Sequence, residues 1–156
     1  MIFRGLIIAF LVLTVAGCSV PSKVVKVYYF QDEKLVSVDR ELPTIESPVM
    51  VAIDQLLIGP NEQESAKGIT TRIPDGTRSR KVDVEGDLAI VDLNSRFAEF
   101  EGTTAEAKAM VSQIVYTATN IRGIKKVLLK LTGSDQFTLG QGYVIDHPLE
   151  RGDVKN

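Results

Sequence analysis

The sequence predicts an α+β fold in which helices cover one face of a small mixed sheet, a two-layer sandwich with the element order β-α-β-β-α-β. Three observations predict it. Short segments rich in β-branched and aromatic residues are typical of strands, two longer segments repeat apolar residues with helical spacing, and turn residues separate them. The hydrophobic content of 44% and the charged content of 24% are typical of a globular domain.

The first half of the chain predicts strands followed by a helix. Residues 23–30 are rich in valine and aromatic residues and favour a strand, and a short second strand follows a polar turn at residues 35–38. The Ser-Pro pair at 47–48 predicts a helix start, because serine is a good N-cap and proline fits the first helical position. Gly-Pro at 59–60 ends this helix. Its apolar stripe consists of Val49, Ala52, Ile53, Leu56 and Leu57.

The second half begins with a predicted hairpin. Residues 77–85 and 88–93 both favour strands, and the sequence Glu-Gly-Asp joins them as a turn. Thr103 and Glu106 form a capping box before the longest helical stretch, which Gly123 closes. The outer face of this helix is predicted to be neutral rather than basic, which disfavours binding to a membrane surface. The residues assigned to that face are Ser112, Gln113, Tyr116 and Thr119.

Residues 126–132 predict the last core strand. Glycine and proline interrupt any period after this strand, so we expect a loop with an edge segment near residues 143–145 and a mobile end at 150–156. These boundaries place the folded domain at residues 24–147 and a C-terminal tail at 148–156.

The N-terminal residues predict a secretory signal and a lipid anchor. The apolar run at residues 5–14 is too short to span a bilayer, which needs about 20 residues. Residues 15–18 (VAGC) resemble the bacterial lipobox, in which the cysteine receives a diacylglyceryl group and acyl chains such as palmitate. We therefore expect residues 1–17 to be a lipoprotein signal peptide, Cys18 to be lipidated and residues 18–23 to include a short linker. The domain is then extracytoplasmic and membrane-anchored, without an indication of which membrane.

Two alternatives stay open for this segment. An uncleaved transmembrane anchor leaves the same topology, and Cys18 is alternatively a buried structural residue. If the anchor is on Cys18, the linker after it reaches only about 17 Å when fully extended. The domain then lies close to its membrane, which favours membrane-proximal partners.

The charge and the reactive residues exclude several functions. With 18 basic and 20 acidic residues, the chain offers no electrostatic attraction for nucleic acid, and we expect no such partner. His147 is the only histidine and Cys18 the only cysteine, so a zinc site is not expected. We predict no catalytic, cofactor-binding or metal-binding residues. A hydrolase that depends on His147 or Asp92 is a disfavoured alternative.

Two clusters are candidate contacts for a ligand or partner. The aromatic cluster at residues 28–30, with Tyr29 at its centre, is a candidate surface for stacking on a sugar. The basic run at the start of the hairpin, Arg78, Arg80 and Lys81, is a candidate for binding a phosphate or another anionic group. The structural interpretation of the first cluster is strand core and sheet edge, and that of the second is a solvated strand end that discourages edge pairing.

The central part of the chain resembles the GerM domain of sporulation and germination proteins over about residues 50–133. The segments that carry the resemblance are 56–60 (LLIGP), 68–69 (GI), 73–77 (IPDGT), 89–94 (AIVDLN), 113–119 (QIVYTAT) and 123–127 (GIKKV). The resemblance implies an extracytoplasmic domain, often on a lipoprotein, with a fold similar to the ring-building-motif domains that assemble at the membranes of developing spores. It supplies no catalytic residues.

The predicted function is therefore that of a non-enzymatic, lipid-anchored cell-envelope protein, a GerM-like scaffold or protein-interaction module in sporulation or germination. Its expected partners are the membrane, through the anchor on Cys18, and envelope proteins or a second copy of the chain. The alternative is a module that binds a small ligand, or peptidoglycan or another anionic glycan, through Tyr29 and the basic run.

Overall fold

The computed structural model describes residues 22–43 and 47–155. The described chain contains seven strands, two longer helices and two short helical turns. The strands are β1 (Ser22–Gln31), β2 (Lys34–Pro43), β3 (Ser79–Glu85), β4 (Leu88–Leu93), β5 (Lys126–Leu131), β6 (Phe137–Leu139) and β7 (Tyr143–Ile145). The helices are α1 (Pro48–Ile58), α2 (Glu62–Ser65), a 3-10 helix (Ser95–Ala98) and α3 (Thr104–Thr119).

The central sheet has the strand order β3-β4-β5 and is mixed. Strand β3 pairs with β4 in the antiparallel sense, and the predicted turn joins them. Strand β4 pairs with β5 in the parallel sense, so the chain crosses between them through helix α3, as parallel pairs require. Helix α1 packs against α3, β1 and β3. These elements confirm the predicted α+β fold with a mixed sheet.

Strands β1 and β2 form a separate, long antiparallel hairpin with the register Gln31↔Lys34 at its turn. Asp32 and Glu33 both have positive φ, 48° and 61°, as a two-residue turn of this twist requires. Strand β2 is ten residues long and exceeds the short strand predicted at 35–38. The prediction stopped early because charged residues follow Val38 and break the apolar pattern.

The core lies between the central sheet and helices α1 and α3. Apolar side chains of β1 and the 3-10 helix complete it. Its largest fully buried apolar side chains include Tyr29, Ile53, Leu56, Leu93, Phe97, Met110, Ile114, Leu129, Leu139, Ile145 and Leu149. Helix α3 contributes most of its length to this core, which is why its apolar spacing was visible in the sequence.

The face of α3 that was predicted to be outside is mostly covered. Ser112 and Gln113 are buried, and Tyr116 is only partly exposed. Strand β1 lies along this face: the backbone N–H of Tyr28 donates to Thr117 Oγ1 at 3.0 Å. The prediction was wrong because short polar side chains are compatible with solvent and equally with hydrogen bonds to a neighbouring strand edge.

The C-terminal segment, residues 148–155, packs on the domain. Leu149 pairs with Val127 through two backbone hydrogen bonds of 2.8 and 2.9 Å. Leu149 and Val154 are both 2% exposed, which places their side chains in the core. The expectation of a mobile end at 150–156 is therefore corrected for residues 150–155. Single apolar residues in a polar segment show no hydrophobic periodicity, so the sequence did not indicate this packing.

Candidate functional site

Tyr29 lies in the core and not on the surface. Its side chain is fully buried, and its hydroxyl donates a 2.9 Å hydrogen bond to the carbonyl oxygen of Gln55. Burial raises the pKa of Tyr29 to about 12, against the smaller opposing effect of Arg40. This burial leaves Tyr29 no face for a ligand, which corrects the expectation that it contacts one.

Arg80 and Lys81 of the basic run lie on strand β3 with acidic neighbours. Arg80 Nη1 is 3.1 Å from Asp92 Oδ2, and Lys81 Nζ is 2.6 Å from Asp83 Oδ2. The hydrogen bond that Lys81 donates to Asp83 raises the pKa of Lys81. Both basic side chains are exposed, but a neighbouring carboxylate balances each charge. The strand therefore has no strong positive potential that would attract an anion.

Arg78 lies in a groove between the end of α1 and the start of β3. The groove has a volume of about 440 Å³, and acidic side chains, Asp54 and Asp75, line it together with Arg78. Ser79 Oγ donates to Asp54 Oδ1 at 2.5 Å and joins the two walls. The four residues predicted as contacts therefore do not form one site: one lies in the core, two are paired on β3 and one is in this groove.

A second concavity, which we call the aromatic cleft, lies between β1, the β1–β2 turn, α3 and the C-terminal segment. Its volume is about 360 Å³. The rings of Tyr28 and Tyr116 pack together with their centroids 5.6 Å apart and their planes at 56°. Phe30 and Leu35 extend the apolar lining along the hairpin. The side chains that line the cleft are Tyr28, Phe30, Glu33, Lys34, Leu35, Ser112, Tyr116, Val154 and Lys155.

Two arginines lie against the rings of the aromatic cleft. The guanidinium carbon of Arg151 is 4.8 Å from the ring centroid of Tyr116, and that of Arg72 is 5.1 Å from the centroid of Phe30. Arg151 Nε also donates to Thr119 Oγ1 at 2.8 Å. A guanidinium over an aromatic face is attracted by the ring quadrupole and fixes the ring orientation. The cleft walls are thus held by contacts beyond simple apolar packing.

The rim of the cleft carries two lysines and one carboxylate. Glu33 forms an ion pair with Arg72, so its charge is already compensated. Lys34 and Lys155 are exposed at the same rim. The Nζ of Lys108 donates to the carbonyl oxygen of Lys155 at 2.9 Å and fixes the end of the C-terminal wall. The rim is therefore net positive.

Sequence reasoning located half of this cleft and assigned the wrong central residue. Successive side chains of a strand point to opposite faces, so Tyr28 and Phe30 share a face that Tyr29 does not. The available sequence signal was the alternation of Val25, Val27 and Tyr29, which the structure buries as one set. Tyr116 and Arg151 come from distant parts of the chain, and no local pattern links them to β1.

The two residues named for a hydrolase are engaged in separate contacts. His147 Nδ1 lies 2.6 Å from Asp146 Oδ1 on the exposed C-terminal segment. Asp92 Oδ1 accepts from the backbone N–H of Gly133 at 2.9 Å, and its other oxygen faces Arg80. Among residues 22–43 and 47–155, no group of three or more histidine, cysteine, aspartate or glutamate side chains has the proximity to hold a metal ion.

The predicted lipidation site, Cys18, and the predicted signal peptide lie outside the described residues. The described chain starts at Ser22, the first residue of β1. In the part that the structure describes, no helix has both the length and the apolar character of a membrane span. The anchor therefore stays a prediction from the sequence.

Comparisons with known proteins agree on one family and one fold. A family model described as "Germane: Sporulation and spore germination" matches residues 26–136. The first GerMN domain of the sporulation protein GerM from Bacillus subtilis superposes with a TM-score of 0.69 at 22% identity, covering 84% of this chain and 99% of that one. The tandem GerMN domains of the same protein give 0.68 at 20% identity, covering 83% of this chain. This chain spans only 46% of that tandem structure.

A protein from Clostridium perfringens, named as a lipoprotein, has a TM-score of 0.62 at 20% identity, covering 85% of this chain and 89% of that one. None of the curated proteins compared with the chain matches its sequence. At these identities the solved structures show a shared fold, and the family model supports membership in the family. The matched range begins within β1, well before residue 50, so the similarity is wider than the sequence motifs indicated.

Proposed function

The chain belongs to the Germane family of sporulation and spore germination proteins, and from this membership we propose that it is a lipid-anchored, non-enzymatic interaction module of the cell envelope. The observation that carries the proposal is the VAGC sequence at residues 15–18, which ends four residues before Ser22, the first residue of β1. The C. perfringens neighbour named as a lipoprotein supports the same anchoring.

The anchor would hold the domain close to the bilayer. Ser22 follows Cys18 by four residues, so the connection reaches at most about 14 Å. Two acyl chains on one cysteine are sufficient for stable anchoring without help from the protein surface. A domain held this way meets partners within the membrane or directly above it, which fits a scaffold.

Fractionation of cells that express the full chain tests the anchor. The unaltered chain is expected in the membrane fraction and to incorporate labelled palmitate, whereas Cys18→Ser is expected to lose the label and to leave the membrane fraction. Ser19→Ala is the matched control and should behave as the unaltered chain does. A Cys18→Ser chain that stays fully membrane-bound would contradict the proposal.

The interaction role is tested separately with the full chain purified in detergent. Sedimentation is expected to show self-association, or affinity capture from envelope extract is expected to retain a specific envelope protein. A strictly monomeric chain that retains no protein contradicts the scaffold role and leaves the anchor unaffected.

The aromatic cleft favours a second candidate function, a module that binds a small ligand or a glycan. Small-molecule sites are concave and mostly apolar, with a few polar groups that fix orientation. The cleft is concave and combines aromatic residues, Tyr28, Phe30 and Tyr116, with about as much polar lining. The two functions are compatible, because the cleft uses only one end of the β1–β2 hairpin.

A further inference from the structure

We propose that the aromatic cleft binds a sugar ring that carries a carboxylate, of the kind found in bacterial cell-wall glycan. This deepens the second candidate function. The source of the ligand rests on the proposed extracytoplasmic location, whereas the binding itself depends only on the cleft. Four properties of the site support the proposal: its rings, the charge of its rim, its size and its position on the hairpin.

The two partly exposed rings of the cleft, Tyr28 and Tyr116, offer aromatic surface on which a sugar can pack, whereas Phe30 is only 3% exposed. A pyranose has C–H groups on its faces and hydroxyls around its edge, so it packs against an aromatic side chain with its polar groups still directed outward. Tyr28 and Tyr116 lie at 56° to each other and form an angled wall. Their amphipathic side chains combine large contact area with a hydroxyl at the ring end. The Tyr28 hydroxyl faces Asn120 Oδ1 at 3.4 Å, a long hydrogen bond that a ligand hydroxyl could replace.

The rim selects a negative ligand. Lys34, the first residue of β2, and Lys155, in the C-terminal segment, both line the cleft. The one carboxylate of the rim, Glu33, is paired with Arg72 and does not oppose them. The guanidinium of Arg151, 5.9 Å from the ring centroid of Tyr28 and 4.8 Å from that of Tyr116, adds a further positive charge. A carboxylate on the bound sugar would complement this rim, whereas a neutral sugar would leave it uncompensated.

The size of the site fits a short piece of glycan. The cleft volume of about 360 Å³ is near the lower limit for small-molecule sites, which favours one or two sugar rings over a folded polymer segment. Hydrogen bonds from Arg151 to Thr119 and from Lys108 to the Lys155 carbonyl join the C-terminal segment to α3 and hold the cleft together without a ligand. Such preorganisation lowers the entropic cost of binding.

The position of the cleft agrees with a wall ligand. Strand β1 runs ten residues from Ser22, near the proposed anchor, to Gln31, at the turn that borders the cleft. At about 3.3 Å per residue, this places the two ends of the strand roughly 30 Å apart. The cleft thus lies at the end of the hairpin that is remote from the anchor.

The test uses two disaccharides that differ mainly in the carboxylate. The probes are N-acetylglucosaminyl-N-acetylmuramic acid, which carries one, and N,N′-diacetylchitobiose (chitobiose below), which carries none. Each is titrated into the full chain in detergent and followed by the amide chemical shifts of the protein. The acidic disaccharide is expected to shift amides around Tyr28, Lys34, Tyr116 and Lys155 and to bind at least about fivefold more tightly than chitobiose. Raised salt should reduce this difference, because exposed charges are screened.

Three variants sharpen the test. Lys34→Gln, at an exposed position, is expected to weaken the acidic disaccharide about two- to fivefold and to leave chitobiose unchanged. Tyr116→Leu keeps apolar bulk and removes the ring, and it should weaken both probes about fivefold. Lys81→Gln is the matched control, because Lys81 lies on β3 beside Asp83 and not in the cleft, and it should change neither affinity.

Two outcomes would overturn the proposal. The first is equal affinity for both disaccharides, or no amide shift with either of them. The second is amide shifts that lie outside the cleft and that are changed by Lys81→Gln rather than by Lys34→Gln. Because the titration does not depend on lipidation, either outcome leaves the anchoring proposal standing. Conversely, a failed palmitate label with normal binding would refute the anchor and retain the cleft.

Discussion

The side-chain amide of Gln113 in helix α3 is hydrogen-bonded to the backbone carbonyl oxygen of Tyr28 in strand β1, with Nε2 3.1 Å from the oxygen. The same amide accepts from the backbone N–H of Arg72 through Oε1 at 2.8 Å. Gln113 is fully buried. The Gln113 side chain therefore supplies hydrogen-bond partners for the Tyr28 carbonyl of β1 and for the Arg72 N–H in the segment before β3. Regular strand pairing does not supply these two partners.

Replacing Gln113 with leucine should destabilise the protein by about 3 kcal/mol. Leucine fills similar space but leaves the Tyr28 carbonyl and the Arg72 N–H buried without partners, and each such group costs about 1–3 kcal/mol. The free energy of unfolding in urea measures the effect. Gln63→Leu, at an exposed position on α2, is the matched control and should change stability by less than about 0.5 kcal/mol. Equal effects of the two variants would show that the Gln113 contacts contribute nothing.

The local elements of the fold were predictable because their signals are local. The capping box of Thr103 and Glu106 is present, with the Thr103 side chain accepting from the Glu106 N–H, and α3 begins at the next residue, Thr104. The hairpin of β3 and β4 likewise forms around its predicted turn. Such patterns involve residues three or four apart, so the sequence alone contains the whole interaction.

The cleft was only partly predictable because its walls meet through tertiary packing. Tyr28 and Tyr116 lie on different elements, and their contact depends on how β1 lies along α3. Assigning Tyr29 instead of Tyr28 was an error of one residue, which in a strand exchanges the core face for the opposite face. The sequence places Arg151 in the C-terminal tail, because a single basic residue beside a glycine does not indicate stacking on an aromatic ring.

The ion pair of Arg40 and Glu64 predicts a loss of stability in acid. Both oxygens of Glu64 accept from the guanidinium of Arg40, at 2.5 and 2.7 Å, and the side chains are mostly buried. The hydrogen bonds from Arg40 lower the pKa of Glu64 below its ordinary value of 4.5. The stability from this pair is therefore fully present above pH 4.5 and is lost as the pH falls through the lower, folded-state pKa.

Glu64→Gln removes this pH-dependent contribution. The variant should be about 2 kcal/mol less stable than the unaltered chain near pH 7, and the difference should shrink as the pH falls below 4.5 and through the lowered pKa of Glu64. Urea unfolding at a series of pH values from 7 to 3 measures it. Glu62→Gln changes an exposed neighbour in the same short helix. Its free energy of unfolding should change with pH in the same way as that of the unaltered chain. A Glu64→Gln difference that is constant with pH would contradict the assignment.

Deleting residues 148–156 should destabilise the domain strongly. Leu149 and Val154 are almost fully buried, and removing each costs about 1.5–3 kcal/mol of apolar burial. We expect a loss of at least about 3 kcal/mol in the free energy of unfolding, seen as a fall in Tm. Deleting only residues 155–156 keeps both apolar side chains and should cost far less. If the two truncations were equally stable, the C-terminal segment would contribute nothing to stability, as expected of the mobile tail that the sequence predicted.

Arg151→Lys should loosen the C-terminal segment without unfolding the domain. Lysine keeps the charge but cannot both stack on Tyr116 and donate to Thr119 Oγ1 in the fixed geometry of a guanidinium. Hydrogen exchange of the Leu149 amide, which bonds to the Val127 carbonyl, should become about fivefold faster, in line with a cation–π contribution near 1 kcal/mol. Arg122→Lys, at an exposed position, should leave that amide unchanged.

Gly140→Ala should cost more than the same change at Gly86, although both glycines have left-handed backbone conformations, with φ of 50° and 64°. The conformational cost is similar at the two sites, about 1 kcal/mol. A Cβ at Gly86 meets nothing within 4 Å, whereas a Cβ at Gly140 overlaps the carbonyl oxygen of Gly102, which the Gln141 N–H holds at 2.9 Å. We expect Gly140→Ala to lose about 2 kcal/mol more in urea unfolding. Equal losses would mean that the Gly102 backbone moves freely to make room.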